Sequence, residues 1–398
     1  MTQQPIYLDN AASTPLDERV LAAMLPYLTS EYGNAASRHH SMGRAAAAAV
    51  QTAREQLAQL LGADPREIVF TSGATESNNL ALKGVAGARA YAQQPKHLVS
   101  ARTEHHAILD PLLSLEEQAG FQITRLSVNS AGAIDLADLE RALQDKPRLV
   151  SLMHVNNEIG ALHPLRAIGE RCRAAGVLFH TDASQSVGKL PIDVNEMRVD
   201  LLSLSAHKFY GPKGVGALYL RRSSPRVRCA PLFDGGGHEG DRRSGTLNVP
   251  GIVGLGAAAE ICGREMTAEA ARLKTMAERF ESELRSRLGG VQRNGASQQC
   301  LPSLLNLHFE GVDAESLLRR LTSVCASSSS ACTSSRMQES HVLRALGLSE
   351  DRISGSLRIS LGRSTSDDDL VRALDELELA VRQERAQGPQ DLCNLDAP

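Results

Sequence analysis

Short apolar runs alternate with longer amphipathic segments between residue 65 and about residue 222. The apolar runs are rich in β-branched residues and lie at 67–73, 97–103, 148–156, 176–182, 199–208 and 215–222. The segments between them repeat apolar residues at helical spacing, as at 76–93, 105–119 and 164–175. Such alternation is typical of βαβ units, so we expect an α/β fold with a mainly parallel sheet covered by helices. Ligands then belong at the carboxyl ends of the strands.

The pattern changes after a loop at 234–250. A long helix is indicated there by apolar residues at spacings of three and four, namely Leu273, Met276, Phe280, Leu284 and Leu288. Short strand-like pieces and helices follow and suit a smaller α/β domain. We therefore expect a large domain over 16–258 and a small domain made of 259–398 together with 1–15. The serine-rich segment 327–335 has little apolar surface with which to order itself.

Charge and cysteine usage narrow the range of partners. The chain mixes 43 basic with 46 acidic residues, which argues against nucleic acid or a membrane surface as the main partner. No apolar run is long enough for a membrane-spanning helix. Seven scattered cysteines without a C-x-x-C pair indicate neither a zinc site nor a disulfide framework. A reducing cytoplasm suits this usage.

Three features could bind and activate a cofactor. Lys208 ends an apolar strand, where partial desolvation would let its amine form a Schiff base with an aldehyde; a solvated strand end is the alternative. Asp182 closes the strand 176–181 and could keep a pyridine nitrogen protonated, or it could cap a helix. The turn through Gly73, Ala74 and Thr75 offers backbone N–H groups to a phosphate, although it too could be a plain helix start.

Other polar residues also follow predicted strands. His105 and His106 come after the strand 97–103, and one of them could stack on a planar ring or transfer protons, where a structural histidine is the alternative. Asn156 and Arg358 could hold a carboxylate between an amide and a guanidinium, although ordinary ion pairing would also explain Arg358.

Two further patterns look like ligand-binding motifs but do not predict a ligand site. Three glycines at 235, 237 and 240 match G-x-G-x-x-G, but no strand leads into them and the sequence after them starts a helix poorly, so we do not expect a dinucleotide. The histidine pairs at 39–40 and 105–106 lack the spacing of metal ligands, and we expect no metal.

Seven ordered motifs resemble the cysteine desulfurases of the NifS and IscS kind, which belong to the class V aminotransferase-like enzymes. The resemblance runs from YLDNAASTP at 7–15 to about residue 380. Its motifs are FTSGATESNN at 70–79, TEHHAILD at 103–110, HVNNEIG at 154–160, HTDASQSVGKLPID at 180–193, SLSAHKFYGPKGVGALY at 203–219, GGGHEGDRRSGTLN at 235–248 and SSSSACTSSRMQESHVLRALG at 327–347.

The resemblance implies an aspartate aminotransferase-like fold and pyridoxal 5'-phosphate (PLP) as cofactor. It implies that Lys208 carries the PLP, that His105 stacks on the ring as an acid and base, and that Asp182 pairs with the pyridine nitrogen. Gln185 would donate to the ring oxygen. The other implied PLP contacts, most of them to the phosphate, are Ala74, Thr75, Asn156, Ser205, His207 and, from the second subunit of a homodimer, Thr246. Asn156 and Arg358 would bind the carboxylate of L-cysteine.

The resemblance also implies the reaction. Cys332 would attack the sulfur of L-cysteine, which leaves L-alanine and a persulfide that passes to a sulfur-acceptor protein such as an iron–sulfur scaffold. Ser329 stands where relatives carry glycine, which would stiffen the loop. The carboxyl tail is short and divergent, so the acceptor stays open. A transaminase or a selenocysteine lyase on the same fold is the alternative chemistry. A sulfur-relay scaffold without cofactor is the alternative class.

Overall fold

Strands and helices alternate along most of the chain in the computed structural model, which describes residues 5–328 and 340–387. In chain order the strands are β1 (Ile6–Tyr7), β2 (Ile68–Thr71), β3 (His97–Ala101), β4 (Gln122–Leu126), β5 (Leu149–Ser151), β6 (Leu178–Asp182), β7 (Leu201–Ser205), β8 (Gly216–Leu220), β9 (Val291–Arg293), β10 (Leu304–Phe309), β11 (Val324–Cys325), β12 (Ser327–Ser328) and β13 (Ser356–Ser360). The helices are α1 (Glu18–Thr29), α2 (Ser41–Leu61), α3 (Ala74–Gly87), α4 (His106–Ala119), α5 (Leu136–Leu143), α6 (Leu165–Ala175), α7 (His238–Asp241), α8 (Val249–Arg287), α9 (Ala314–Arg320), α10 (His341–Ala345), α11 (Glu350–Ser354) and α12 (Asp367–Gln387). No helix in these two ranges is long and apolar enough to cross a membrane.

Seven of the described strands form one sheet, in the order β2-β8-β7-β6-β5-β3-β4. Strand β8 is antiparallel to both of its neighbours, whereas the other neighbouring pairs are parallel. The strands β2, β3, β5, β6 and β7 therefore end at the same edge of the sheet. This architecture confirms the predicted α/β fold with a mainly parallel sheet.

Burial explains why the sequence reveals most of these strands. Strands β2, β3, β5, β6 and β7 are buried along their whole length, because helices cover both faces of the sheet. Such strands read as continuous apolar runs. Strand β4 lies at the edge of the sheet, where Gln122 is exposed and Leu126 is buried, and it does not read as an apolar run.

A second sheet organises the smaller part of the chain. It is antiparallel, in the order β12-β13-β10-β9, and it shares a hydrophobic core with α12 and the second half of α8. Helix α8 joins the two cores, since residues up to Cys262 pack in the first core and residues from Leu273 pack in the second. The domain boundary proposed at residue 258 falls inside this helix. The helix begins at Val249, well before the apolar pattern that starts at Leu273.

The amino-terminal segment connects both sheets. Ile6 and Leu8 pack in the smaller core, and the side chain of Asn10 donates to the carbonyl of Ser360 over 2.9 Å. A few residues later, the hydroxyl of Thr14 donates to the carbonyl of His207 over 3.0 Å. The stretch between these two attachments therefore crosses the space where the large sheet ends and the small domain begins.

Candidate active site

A cavity of about 530 Å³ opens at the carboxyl edge of the large sheet. The amino-terminal segment and β13 of the small domain complete its wall. Most of the residues singled out in the sequence line it, namely Ala74, Thr75, His105, Asp182, Gln185, Ser205, His207, Lys208 and Arg358. The fold therefore gathers side chains from the carboxyl ends of five strands and from both domains around one space.

Asn156 does not line this cavity. The amide of Asn156 is occupied, because Nδ2 donates to the carbonyl of Thr103 over 2.9 Å and Oδ1 accepts the backbone N–H groups of Glu158 and Ile159. Its neighbour Asn157 lines the cavity instead, and Oδ1 of Asn157 has no partner among the described residues. The amide that lines the cavity is thus that of Asn157, whereas the structure places the amide of Asn156 outside the lining.

A period of two could have identified Asn157 from the sequence. Met153, Val155 and Asn157, which are alternate residues after β5, all line the cavity. The choice between the two adjacent asparagines therefore depends on which of them shares the side of Met153 and Val155, and the sequence motif alone does not answer it.

Two other predicted residues cannot be related to the cavity of this chain. Thr246 lies in an exposed loop before α8 and does not belong to the cavity wall. Cys332 falls outside the described residues.

One end of the cavity is formed by the turn from β2 into α3. Gly73 has a φ of 152°, which residues with a side chain rarely adopt, and a Cβ atom there would lie 3.5 Å from Oγ of Ser205. Among the described residues no side chain caps the start of α3. The first-turn N–H groups at Ala74 and Thr75 have no acceptor within the helix, so they are free to bind an anion in the cavity.

A carboxylate near this turn is paired with an arginine. Glu76 accepts the backbone N–H of Ser72 over 2.8 Å and pairs with Nε of Arg243 over 2.9 Å. Burial opposes ionisation of Glu76, but the hydrogen bonds from Arg243 and Ser72 outweigh it and hold the pKa below its ordinary value. Glu76 therefore remains charged but paired, and the turn stays suitable for an anion.

The carboxylate of Asp182 lies at the end of β6 and is held by three donors. Its Oδ2 accepts from Nδ2 of Asn78 over 2.7 Å, and its Oδ1 accepts the backbone N–H and the hydroxyl of Ser184 over 2.9 and 2.5 Å. Asp182 is only 6% exposed. Residues 184–189 form a turn and not a helix, so the helix cap that was the alternative explanation is not what holds Asp182. The hydrogen bonds from Ser184 and Asn78 fix the carboxylate at the cavity wall.

His105 is fixed in one tautomer. It caps α4, and its Nδ1 accepts the backbone N–H of Ala107 over 3.0 Å, so the proton of the neutral ring is on Nε2. Burial lowers the pKa of His105, and Lys208 lowers it further against the opposing charge of Asp182. At neutral pH the ring therefore offers a neutral N–H donor at Nε2.

Lys208 and His207 follow β7 in a single helical turn, Ala206–Lys208. The ammonium of Lys208 donates to the carbonyls of Ala11 and Ala12 over 2.7 and 2.9 Å. Burial lowers the pKa of His207 to about 4, with Lys208 as the next largest cause. His207 is therefore a neutral ring beside a cation, and its Nδ1 lies 3.2 Å from Oγ of Ser13.

Arg358 reaches the cavity from β13 and is 2% exposed. Its Nη2 donates to Asp9 over 2.9 Å, and its Nη1 donates to the carbonyl of Asn157 over 3.1 Å. Nε has no partner within the described ranges. The ion pair expected as the alternative is present, and the guanidinium also retains a buried donor for a ligand.

Comparison with known proteins agrees with this geometry. The family model of class-V aminotransferases matches residues 6–373. A cysteine desulfurase IscS from Anaeromyxobacter sp. (strain Fw109-5) is 51% identical over 385 residues, which cover 97% of this chain and 94% of that protein.

Solved structures give the same result. A NifS-like protein has a TM-score of 0.88 and 34% identity, and the alignment covers 96% of this chain and 100% of that one. A structure of SspA in complex with cysteine has a TM-score of 0.79 and 38% identity, covering 89% of this chain and 98% of that one. The chain therefore belongs to the class-V aminotransferase family and, within it, to the cysteine desulfurases.

Proposed function

We propose that this cavity binds PLP on Lys208 and that the enzyme takes sulfur from L-cysteine onto Cys332, with L-alanine as the other product. The observation that carries the proposal is that an amine, a buried carboxylate and an uncapped helix start line one cavity. These are the three kinds of group that an aldehyde, a pyridine nitrogen and a phosphate require. The cysteine complex of the similar protein SspA supports the choice of substrate.

The residues fit the cofactor from end to end. The phosphate would be held by the backbone at Ala74 and Thr75, with Ser205 and His207 beside it. Asp182 would bind the pyridine nitrogen at the other end, and its three donors keep it oriented. When bound, the protonated pyridine ring withdraws electrons from the substrate.

The protein then has to hold the ring and move protons. His105 is suited to lie over the ring, and its Nε2 is the atom that donates and accepts a proton, because Nδ1 is engaged by the backbone. Lys208 holds the cofactor through its Nζ. The carbonyls of Ala11 and Ala12, which accept from this amine, keep it at the cavity wall before the cofactor is attached.

The substrate carboxylate would bind between Arg358 and Asn157. Nε of Arg358 is a buried donor without a partner in the described structure, and such groups are costly unless a ligand binds them. The amide N–H groups of Asn157 would donate to the same carboxylate. The contact from Nη1 of Arg358 to the carbonyl of Asn157 holds the two together.

Sulfur transfer would follow on Cys332. Its thiolate attacks the substrate sulfur, the carbon–sulfur bond breaks, and a proton added to the carbon completes alanine, so that the sulfur remains as a persulfide. The described residues on either side of 329–339 are anchored beside the cavity. Ser327 pairs with Arg358 across the sheet, and the hydroxyl of Ser340 donates to the carboxylate of Glu158.

We further infer a homodimer. Leu21, Leu25 and Leu28 lie on one face of α1 and are 46%, 53% and 56% exposed, and an apolar stripe of this kind is typical of an interface. Thr246 is exposed and lies outside the lining of its own cavity, in keeping with a role at the cavity of the second subunit.

The described cysteines are free thiols, which supports a reducing, cytoplasmic setting and an acceptor such as an iron–sulfur scaffold protein.

The Cys332→Ala variant separates a desulfurase from a transaminase. It should stay yellow with bound PLP, because no residue of the cofactor site is changed. Its production of alanine and sulfide from L-cysteine should fall at least about a hundredfold, since the nucleophile is gone. Cys325→Ala is the matched control and should keep most of the activity. Alanine production near the wild-type rate in Cys332→Ala would contradict the proposed sulfur transfer.

Alanine substitutions at Asn157 and Asn156 should affect different properties, catalysis in the first case and stability in the second. Asn157→Ala should lower kcat/KM for L-cysteine about ten- to a hundredfold, because its amide N–H groups would no longer donate to the substrate carboxylate. Stability should change little, because its Oδ1 accepts no hydrogen bond within the described ranges that the substitution would remove. Asn156→Ala should lower the free energy of unfolding by about 2 kcal/mol or more, because it leaves three buried backbone groups unpaired. Steady-state kinetics and urea denaturation measure both effects, and the reverse pattern would restore Asn156 as the ligand.

The dimer can be tested on the face of α1. Leu25→Glu should convert the dimer to a monomer in analytical ultracentrifugation, because a carboxylate would be buried in the interface. Leu379→Glu is the control, since Leu379 on α12 is 58% exposed but lies outside the stripe on α1. Equal masses for both variants and the wild-type protein would exclude this face as the interface.

A further inference from the structure

Lys189 contacts Gln185 from the side away from the cofactor site. We propose that Lys189 fixes the side-chain amide of Gln185 in the one orientation that presents N–H groups to the cavity, and that it is therefore a positioning residue for cofactor binding. The inference rests on the proposed function, because it takes the ring oxygen of PLP as the acceptor for Gln185.

The hydrogen bonds of Gln185 determine which way its amide points. Nζ of Lys189 donates to Oε1 over 3.0 Å, and Nε2 donates to the carbonyl of Ala11 over 2.8 Å. An ammonium group only donates and a carbonyl only accepts. A flipped amide would set its oxygen against a carbonyl and its NH2 against the ammonium. Both partners therefore select the same orientation.

Removing Lys189 would weaken this selection. Gln185 is only 3% exposed, so water does not readily replace a lost partner. Nε2 has one further N–H beyond the one bound to Ala11, and Gln185 lines the cavity. An anionic ring oxygen is stabilised by that N–H and repelled by Oε1, so the orientation of the amide decides whether Gln185 helps or hinders binding.

The position of Gln185 is also linked to Lys208. The carbonyl of Ala11 accepts both Nε2 of Gln185 and Nζ of Lys208, over 2.8 and 2.7 Å. The contact of Gln185 with Ala11 would not depend on Lys208 when Lys208 holds the cofactor. The amide is held from both ends, by Ala11 and by Lys189.

The surroundings of Lys189 disfavour its positive charge. It lines a small cavity of about 30 Å³ together with Glu269 and Tyr210. Burial is the largest cause that lowers the pKa of Lys189 to about 7, Lys208 acts in the same direction, and Glu269 opposes both. A cation this close to other cations costs stability, and such costs are typical of groups retained for a site. The contact with Gln185 gives the cation a role there.

A double-mutant cycle on cofactor binding tests the proposal. The dissociation constant of PLP would be measured by fluorescence titration of the apoprotein for wild type, Lys189→Met, Gln185→Ala and the double variant. Each single variant should bind PLP about tenfold more weakly, and the double variant should be no weaker than Gln185→Ala. Lys274→Met, at an exposed lysine, is the matched control and should bind like wild type.

Two further variants keep the test decisive if Lys189→Met does not fold. Lys189→Arg keeps a donor-only cation and should restore binding to within about threefold of wild type. Gln185→Glu keeps an acceptor for Lys189 but has no N–H for the cavity, and it should bind at least about tenfold more weakly.

The possible failures can be told apart. The proposal would be overturned if Lys189→Met weakened PLP binding by the same factor in the wild-type protein and in Gln185→Ala. Lys189 would then act on PLP binding through its charge or through the fold, and not through Gln185. Normal binding by Lys189→Met beside weak binding by Gln185→Ala would overturn it as well. If Gln185→Ala binds normally, the inferred role of Gln185 is wrong, and if the wild-type apoprotein binds no PLP, the proposed function itself fails.

Discussion

Parallel pairing of β6 with β7 brings Asp182 and the Ala206–Lys208 turn to the same edge of the sheet. The register sets Asp182 opposite Ser203, so that the chain beyond β7 continues past the carboxylate and delivers Lys208 to the cavity. Because β2 ends at this edge as well, the N–H groups at the start of α3 face the same space. The spacing between amine, carboxylate and anion site is thus a property of the sheet.

The amino-terminal segment adds hydrogen-bond acceptors for site residues that the sheet does not supply. Its carbonyl at Ala11 is the common acceptor for Gln185 and Lys208, and its Asp9 pairs with Arg358 from the small domain. Asn10 and Thr14 attach the segment to both domains on either side of these contacts. A change in the angle between the domains would therefore move the contacts of Gln185 and Lys208, which face the cofactor, together with those of Arg358, which faces the substrate.

The sequence predicts the parts of this arrangement that follow from strand ends. Buried strands are visible as apolar runs, so the order of residues is enough to assign Asp182, His105 and Lys208 to one edge of the sheet. The cavity is lined by Asn157 and not by the predicted Asn156, because a motif does not specify on which side of the chain each of two adjacent residues lies. The contact of Lys189 with Gln185 joins residues only four positions apart, yet its effect on the orientation of the amide also depends on Ala11, which is remote in sequence. The roles of Cys332 and Thr246 stay predictions.

The attachment site of the cofactor is the most direct test of this account. The enzyme loaded with PLP would be reduced with borohydride, which fixes the pyridoxyl group to the lysine that holds it, and digested for peptide mapping by mass spectrometry. We predict a single labelled lysine, Lys208. A label on Lys213, which also lines the cavity, or on any other lysine would contradict the site described.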